Sequence, residues 1–283
     1  MSVILGSATQ QNLLALQDIN ANLTTTQSHL STGQKVASAV DNAVAFFQAD
    51  ALKNRASDLS NRKDQIDQGI SSLTTATQAA QSVVSILQQL QGILTTAKTQ
   101  TASQRASAST QFNTLTRQLT VLVNDASYQG LNLVASTKAT LNLQFSQSSA
   151  SKLTIKGTNI QASGLITSGK ASVQATIVVT AKFSAVSNST SAFDNGFNTL
   201  QTAIDKVQSA AQTLGSNVSF LQTRLQFTSS YQTTLNTGAG KLTLADVNEE
   251  SANLVTLQTR QQLALQALSI ATQSEQSVLR LFR

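Results

Sequence analysis

The sequence of 283 residues contains no proline, no cysteine and no tryptophan. Without proline, long helices can run uninterrupted, because no ring removes a backbone donor or clashes with the preceding turn. Without cysteine, the sequence has no disulfide framework and no thiolate metal site. Aromatic residues make up 4% of the chain and charged residues 11%. This composition indicates extended helices with thin cores and not a dense globule.

Catalytic side chains are equally scarce. His29 is the only histidine, so a His-rich metal site and a Ser-His-Asp triad are both poorly supplied, and we expect a packing or interface role for it. Asp246, Glu249 and Glu250 form an acidic cluster, but its place at a predicted helix start favours capping over catalysis. We predict no enzyme activity, no cofactor and no metal.

Charge and hydropathy also exclude two kinds of partner. The net charge of +6 would suit nucleic acid, but the basic residues are scattered and no aromatic residues alternate with them for base stacking. No stretch approaches the roughly twenty apolar residues that span a bilayer. The first residues have no basic lead, and Gly6 and Ser7 break their apolar run, so we expect export without a cleaved signal, if the chain is exported.

The two ends of the chain share a pattern. Each is an amide-rich helix, nearly free of charge, in which apolar residues recur at alternating steps of four and three. A solvent-exposed helix usually carries charged residues on its outer face, so these ends are expected to pair and to be surrounded by protein. An ordinary antiparallel pair within one globular domain is the alternative. The stripes are Leu5, Thr9, Asn12, Leu16, Ile19, Leu23, Thr26 and Leu30, and Leu257, Gln261, Ala264, Leu268, Ala271, Glu275, Val278 and Phe282.

Between the ends, turn signals and a change of period divide the chain. Gly33 is a helix-stop signal, and Asp41-Asn42 can cap a long helix that runs to about residue 99. A second helix is predicted over about 103–126. Leu141, Leu143 and Phe145, then Leu153 and Ile155, alternate with polar residues, and residues 173–180 are a β-branched run, which predicts short strands. Helical periodicity returns over about 193–236, and Gly238 and Gly240 are expected to precede the last helix.

Four segments of the sequence resemble bacterial flagellins. They are LSTGQKVASAVDNAVAFFQADAL (30–52), NRKDQIDQGISSLTTATQAAQSV (61–83), SYQGLNLV (127–134) and the final forty residues, LADVNEESANLVTLQTRQQLALQALSIATQSEQSVLRLFR (244–283). Tyr128-Gln129-Gly130 stands where the family has phenylalanine-asparagine-glycine. The resemblance covers about the first 135 and the last 90 residues, in the family's order, and is absent from the centre.

The resemblance implies a subunit of the bacterial flagellar filament, exported unfolded and assembled outside the cell. In that family the terminal helices are disordered in the monomer and pair on assembly into an inner tube. The implied partners are other copies of this chain, other flagellins, the flagellar cap and junction proteins, and an export chaperone on the C-terminal helix. Two alternatives are a hook-filament junction protein and a chemoreceptor-type signalling hairpin, although the latter would need dense Glu and Lys pairs and no β insertion.

The predicted fold is mainly α with a small β insertion: an elongated antiparallel long-helix bundle with paired termini and a β-hairpin region at the far end. Its segments are an N-terminal assembly helix (1–33), a connector (34–42), an N-terminal long-helix arm (43–130), a β-rich insertion (131–190), a C-terminal helical arm (191–240) and a C-terminal assembly helix (241–283). The predicted assembly-interface residues are Leu5, Leu16, Ile19, Leu23, Leu30, Leu254, Leu257, Leu268, Val278 and Phe282.

Overall fold

The computed structural model describes residues 7–148, 150–166 and 190–281, and most of them are helical. The predicted class, mainly α with a small β insertion, is confirmed. The helices are α1 (Ser7–Thr32), α2 (Ala39–Lys98), α3 (Ala102–Asp125), α4 (Ala162–Ile166), α5 (Thr190–Thr243) and α6 (Val247–Leu281), and the strands are β1 (Thr140–Gln144) and β2 (Lys152–Lys156).

The chain divides into two compact units. The terminal unit comprises residues 1–56 and 233–283, and the central unit comprises residues 57–232. Each unit therefore contains pieces of α2 and α5, since the boundaries fall after Ala56 and after Gln232.

In the terminal unit, α1 packs against α6. The two helices are antiparallel, because Asn20 of α1 contacts Gln261 while His29, further along α1, contacts Glu250, nearer the start of α6. Below them the connector between α1 and α2 pairs with the link between α5 and α6: Lys35 N donates to Thr243 O at 2.8 Å. Gln34 and Leu244 form an isolated antiparallel bridge there.

Helix ends in the terminal unit follow the sequence signals. Gly33 has φ +69°, the left-handed conformation that terminates a helix and that glycine adopts without strain. Asn42 has non-helical backbone angles, so α2 is helical without interruption only after it. Its Oδ1 accepts the Ala45 N–H at 3.0 Å, which is the predicted N-cap. Asp246 Oδ1 likewise accepts the Asn248 and Glu249 N–H groups at the start of α6.

The glycines near the end of α5 do not end the helix. We expected the helical pattern to end at about residue 236, ahead of Gly238-Ala239-Gly240, but α5 continues to Thr243. Ala239 is completely buried, and a Cβ added to Gly238 would lie 3.5 Å from Leu52 Cδ1 of α2. This stretch of α5 therefore packs against α2, and that packing outweighs the propensity cost of about 1 kcal/mol for a glycine inside a helix.

The central unit contains one continuous hydrophobic core built from α2, α3, the hairpin, α4 and α5. Its heptad-spaced aliphatic residues are almost fully buried, as expected from their spacing on a helix face. They include Ile66, Leu73, Leu87, Leu90, Leu94, Leu119, Leu200 and Leu221, together with Phe112.

The β insertion contains a single described hairpin, in which β1 pairs antiparallel with β2. Leu143 faces Leu153 across the hairpin, and Leu141 faces Ile155, as the alternating pattern predicted. Phe145 follows β1, and the Arg224 guanidinium of α5 lies 5.0 Å from its ring centre and 5.1 Å from that of Phe227. The expected strand at residues 173–180 lies outside the described residues, and α4 is a short helix that we did not predict.

Candidate assembly site: the paired terminal helices

The seam of α1 coincides with the stripe predicted from its sequence. Every described stripe position is buried or half-buried, whereas the remaining positions from 10 to 28 are exposed. The alternating steps of four and three keep these side chains on the face that meets the partner helix. The seam positions of α1 are Thr9, Asn12, Leu16, Ile19, Leu23, Thr26 and Leu30.

The seam of α6 follows the same spacing and begins earlier than the predicted stripe. Two additional positions near the start of α6, Glu250 and Leu254, continue the alternation toward the N-terminal end of the helix. Glu250 is 9% exposed, although a carboxylate is among the groups least often buried. The seam positions of α6 whose burial is described are Glu250, Leu254, Leu257, Gln261, Ala264, Leu268 and Ala271.

Side-chain hydrogen bonds cross the seam at Gln261 and at His29. Gln261 Nε2 donates to Asn20 Oδ1 at 2.7 Å near the exposed edge. His29 Nδ1 lies 2.9 Å from Glu250 Oε1, and these side chains are 20% and 11% exposed. The sequence indicated an interface role for His29 and a helix-start role for Glu250, but it did not indicate that they meet. The two residues are 221 positions apart. The available sequence signal was that His29 adjoins the seam position Leu30, while Glu250 continues the heptad spacing of α6.

A polar cleft of about 410 Å³ lies beside this pair. Lys35 of the connector and Arg260 of α6 line it together with His29, Glu249 and Glu250. The lining includes both cations and carboxylates, so charges of both signs lie close to the seam. Among the described residues there is no group of three or more His, Cys, Asp or Glu placed to hold a metal ion.

The carboxyl of Asp41, in the terminal unit, has a shifted pKa. Hydrogen bonds from the Ser38 backbone and side chain, and then from the Ala37 backbone, lower the pKa of Asp41 from its ordinary value. Asp41 Oδ2 accepts the Ala37 N–H at 3.0 Å and the Ser38 N–H at 2.9 Å. Asp41 therefore holds the connector, while its neighbour Asn42 caps α2.

The predicted interface residues fall into two groups. Those of the described seam are half-buried and lie on the facing sides of α1 and α6: Leu16, Ile19, Leu23, Leu30, Leu254, Leu257 and Leu268. Leu5 and Phe282 lie outside the described residues, and Val278 lies in α6 without a described side-chain environment.

Large apolar side chains also lie on the solvent-facing sides of the pair. Leu14 is 61% exposed, Val255 62% and Leu263 60%. We did not predict that these residues would be exposed. The sequence does contain a signal for them, because they are apolar residues that lie between the stripe positions. The exposed apolar residues of the two helices are Leu13, Leu14, Val247, Val255, Leu263, Leu265 and Ile270.

The fold and this site define a class: helical proteins whose first and last helices pair along a shared seam and leave apolar side chains exposed outside it. The chain belongs to the bacterial flagellin family. Residues 6–139 match the bacterial flagellin N-terminal helical region, and residues 197–282 match the bacterial flagellin C-terminal helical region.

Curated relatives agree over nearly the whole chain. Flagellin FljM of Caulobacter vibrioides is 32% identical over 277 residues, covering 96% of each protein. A flagellin of Brucella melitensis is 29% identical over 288 residues, covering 100% of this chain and 99% of the relative.

A solved structure shares the fold. A putative flagellar hook-associated protein from Vibrio parahaemolyticus aligns with a TM-score of 0.61 at 15% identity, covering 72% of this chain and 100% of that one. At this identity the likeness concerns the fold alone. No described helix is long and apolar enough to cross a membrane.

Proposed function

We propose that the terminal helix pair joins copies of this chain into a bacterial flagellar filament. Membership of the flagellin family makes the chain a structural subunit of that filament, which lies outside the cell and serves motility. The flagellins are a structural protein family. The observation that supports the role of the helix pair is its exposed apolar surface. Exposed apolar patches on a protein mark sites where it contacts other molecules.

The seam alone buries little apolar surface. Of the seam positions with described burial, the ones below a tenth exposed are Thr9, Thr26 and Glu250, all polar. Fully burying a leucine contributes about 1.5–3 kcal/mol, and a half-buried one contributes less. Ordering the backbone costs roughly 1–2 kcal/mol per residue, so these helices gain too little from each other to offset that cost. Folding on assembly would resolve the deficit, because neighbouring copies cover the exposed leucines.

Contacts within a subunit and contacts between subunits then involve different residues. The predicted interface residues of the seam, such as Leu16, Leu23 and Leu268, hold α1 to α6 within one subunit. The outward-facing residues, such as Leu14, Leu263 and Ile270, contact neighbouring subunits. Both sets are needed for a filament, because helical polymers form when one surface of a subunit binds a different surface of the next.

The remaining partners follow from the same family. We propose export without a cleaved signal, binding of an export chaperone to the C-terminal helix, and contacts with other flagellins and with cap and junction proteins of the flagellum. A hook-filament junction protein shares the helical fold, but it is not better supported, since the full-length relatives described above are flagellins.

Seeded polymerisation tests the proposal. Purified chain is depolymerised by heat, mixed with short filament seeds, and followed by electron microscopy and limited proteolysis. We expect long filaments in which protease sites in α1 and α6 become protected. A chain that never extends the seeds, and whose terminal helices already resist protease as a monomer, would contradict the proposal. Leu263→Ser should slow growth, while Leu263→Met, which keeps the apolar surface, should not.

A further inference from the structure

The seam by itself leaves the register of the helix pair weakly specified. Both helices repeat the same heptad spacing, and several seam positions are small or polar, among them Thr9, Thr26, Ala264 and Ala271. A slip of seven residues would again set seam against seam, with a similar amount of apolar surface covered. A uniform filament requires every subunit to adopt one register, so another feature must select it.

The contact between His29 and Glu250 has the properties of such a feature. Glu250 is the one charged residue among the described seam positions, and its carboxylate lies 2.9 Å from the only imidazole in the chain. Both side chains are largely buried, where a polar group without a partner is costly. The Asn20–Gln261 bond lies at the exposed edge and discriminates less, because water can replace it.

We infer that His29 and Glu250 set the register of α1 against α6, and this rests on the proposed role of the helix pair in assembly. Buried polar pairs in coiled coils select one register by penalising the others, at some cost in stability. The pair acts through unfavourable burial in wrong registers and not through added strength in the right one.

Each slipped register leaves the carboxylate or the imidazole without its partner. In the observed register, residues at the same level have numbers that add to about 280. A slip of one heptad in one direction sets His29 level with Leu257 and Glu250 level with Val36, both apolar. A slip in the other direction sets Glu250 level with Asn22. His29 then lies beyond the first residue of α6, Val247, and faces no residue of that helix. No slipped position offers Glu250 another imidazole, since the sequence has none.

The connector bridge is the competing explanation. Lys35 N and Val36 N both donate to Thr243 O, and Ala245 N donates to Gly33 O, just beyond the His29–Glu250 pair. These backbone bonds also align the base of the two helices. They involve no side chain, so substitution of His29 and Glu250 separates the two explanations.

Engineered disulfides measure the register directly, because the chain has no cysteine of its own. Leu16→Cys with Ala264→Cys reports the observed register, and Leu16→Cys with Ala271→Cys reports a slip of one heptad. A disulfide forms only when the Cα atoms are within about 7 Å. Filaments grown on seeds are oxidised mildly, and intrachain crosslinking is read from gel mobility, with single-cysteine variants identifying interchain products.

With His29 and Glu250 intact, we expect the observed-register disulfide to exceed the slipped one by about tenfold or more. In a His29→Leu, Glu250→Leu background the ratio should fall to about threefold or less. The swapped variant, His29→Glu with Glu250→His, should restore most of the selectivity because it restores the pair. An unchanged ratio in the leucine background would overturn the inference and assign the register to the connector bridge.

The design also separates this inference from the proposed function. If the unsubstituted chain does not extend seeds, the proposed function fails, and the crosslinking ratio of the soluble chain then reports the register alone. Absence of crosslinking of both cysteine pairs in assembled filaments would contradict the paired seam and with it the inference.

Discussion

Leucine side chains are buried to different extents in the two units of this chain. In the central unit, heptad-spaced leucines such as Leu73, Leu87 and Leu90 are completely buried. In α1 and α6 of the terminal unit, no leucine with a described environment is buried, and the burial is greatest at Thr9, Thr26 and Glu250. The central unit therefore completes its own core, while the terminal helix pair has a core that further contacts would have to complete.

The largest expected effect comes from placing a charge in the seam. Leu268→Asp should abolish filament growth, because a carboxylate would enter a half-buried apolar position without a partner. The thermal unfolding of the central unit should stay unchanged, and circular dichroism with electron microscopy measures both. Gln208→Asp on an exposed face of α5 is the control for added charge. Normal filaments from Leu268→Asp would remove the seam from the assembly mechanism.

Truncating one leucine in each unit measures the difference between their cores. Leu73→Ala should lower the free energy of unfolding of the soluble chain by about 2–5 kcal/mol, because it opens a cavity in a closed core. Leu23→Ala should change that value by about 1 kcal/mol or less and instead raise the subunit concentration needed for polymerisation. Chemical denaturation and sedimentation of filaments provide the measurements. Equal losses in the soluble chain would mean that the terminal pair is already folded before assembly.

A smaller effect is expected at the tight turn after α3 in the central unit. Tyr128 and Leu131 exchange backbone hydrogen bonds, and Gln129 and Gly130 between them have φ of +50° and +80°. Asparagine tolerates the left-handed region better than glutamine. Gln129→Asn should therefore stabilise the unit by about 0.5–1 kcal/mol, measured by chemical denaturation. Gln118→Asn within α3 is the matched control and should give no gain, since asparagine is the poorer helix former.

The smallest effect concerns pH in the terminal unit. The pKa of Asp41 is lowered in the folded chain, so its contribution is present above the ordinary value of about 3.9 and is lost as pH falls through the lowered value. Hydrogen exchange of the Ala37 and Ser38 amides should show protection at pH 5 that declines at more acidic pH. Asp41→Asn should reduce that protection at pH 5. Equal protection of these amides in both variants would show that the Asp41 carboxylate does not hold the connector.

Much of the fold could be predicted because the signals are local. Gly33 ends α1 because glycine adopts the left-handed conformation without strain, and Asn42 caps α2 three residues ahead of its partner. The alternating apolar residues Leu141 and Leu143 lie in the strand β1. The prediction failed at Gly238 and Gly240, because their helix is maintained by packing against α2, which is distant in sequence. The short helix α4 was missed because five residues carry too little periodicity to register as a helix.

The sequence by itself determined the family, the helical class and the phase of both seams, since each depends on residue order and spacing within one segment. The tertiary structure decided which seam positions meet, and it paired His29 with Glu250 across 221 residues. It also decided which leucines remain outside the pair, such as Leu14 and Leu263. Periodicity places a side chain on a face of its helix, but only the packing of the other helices determines whether that face is covered.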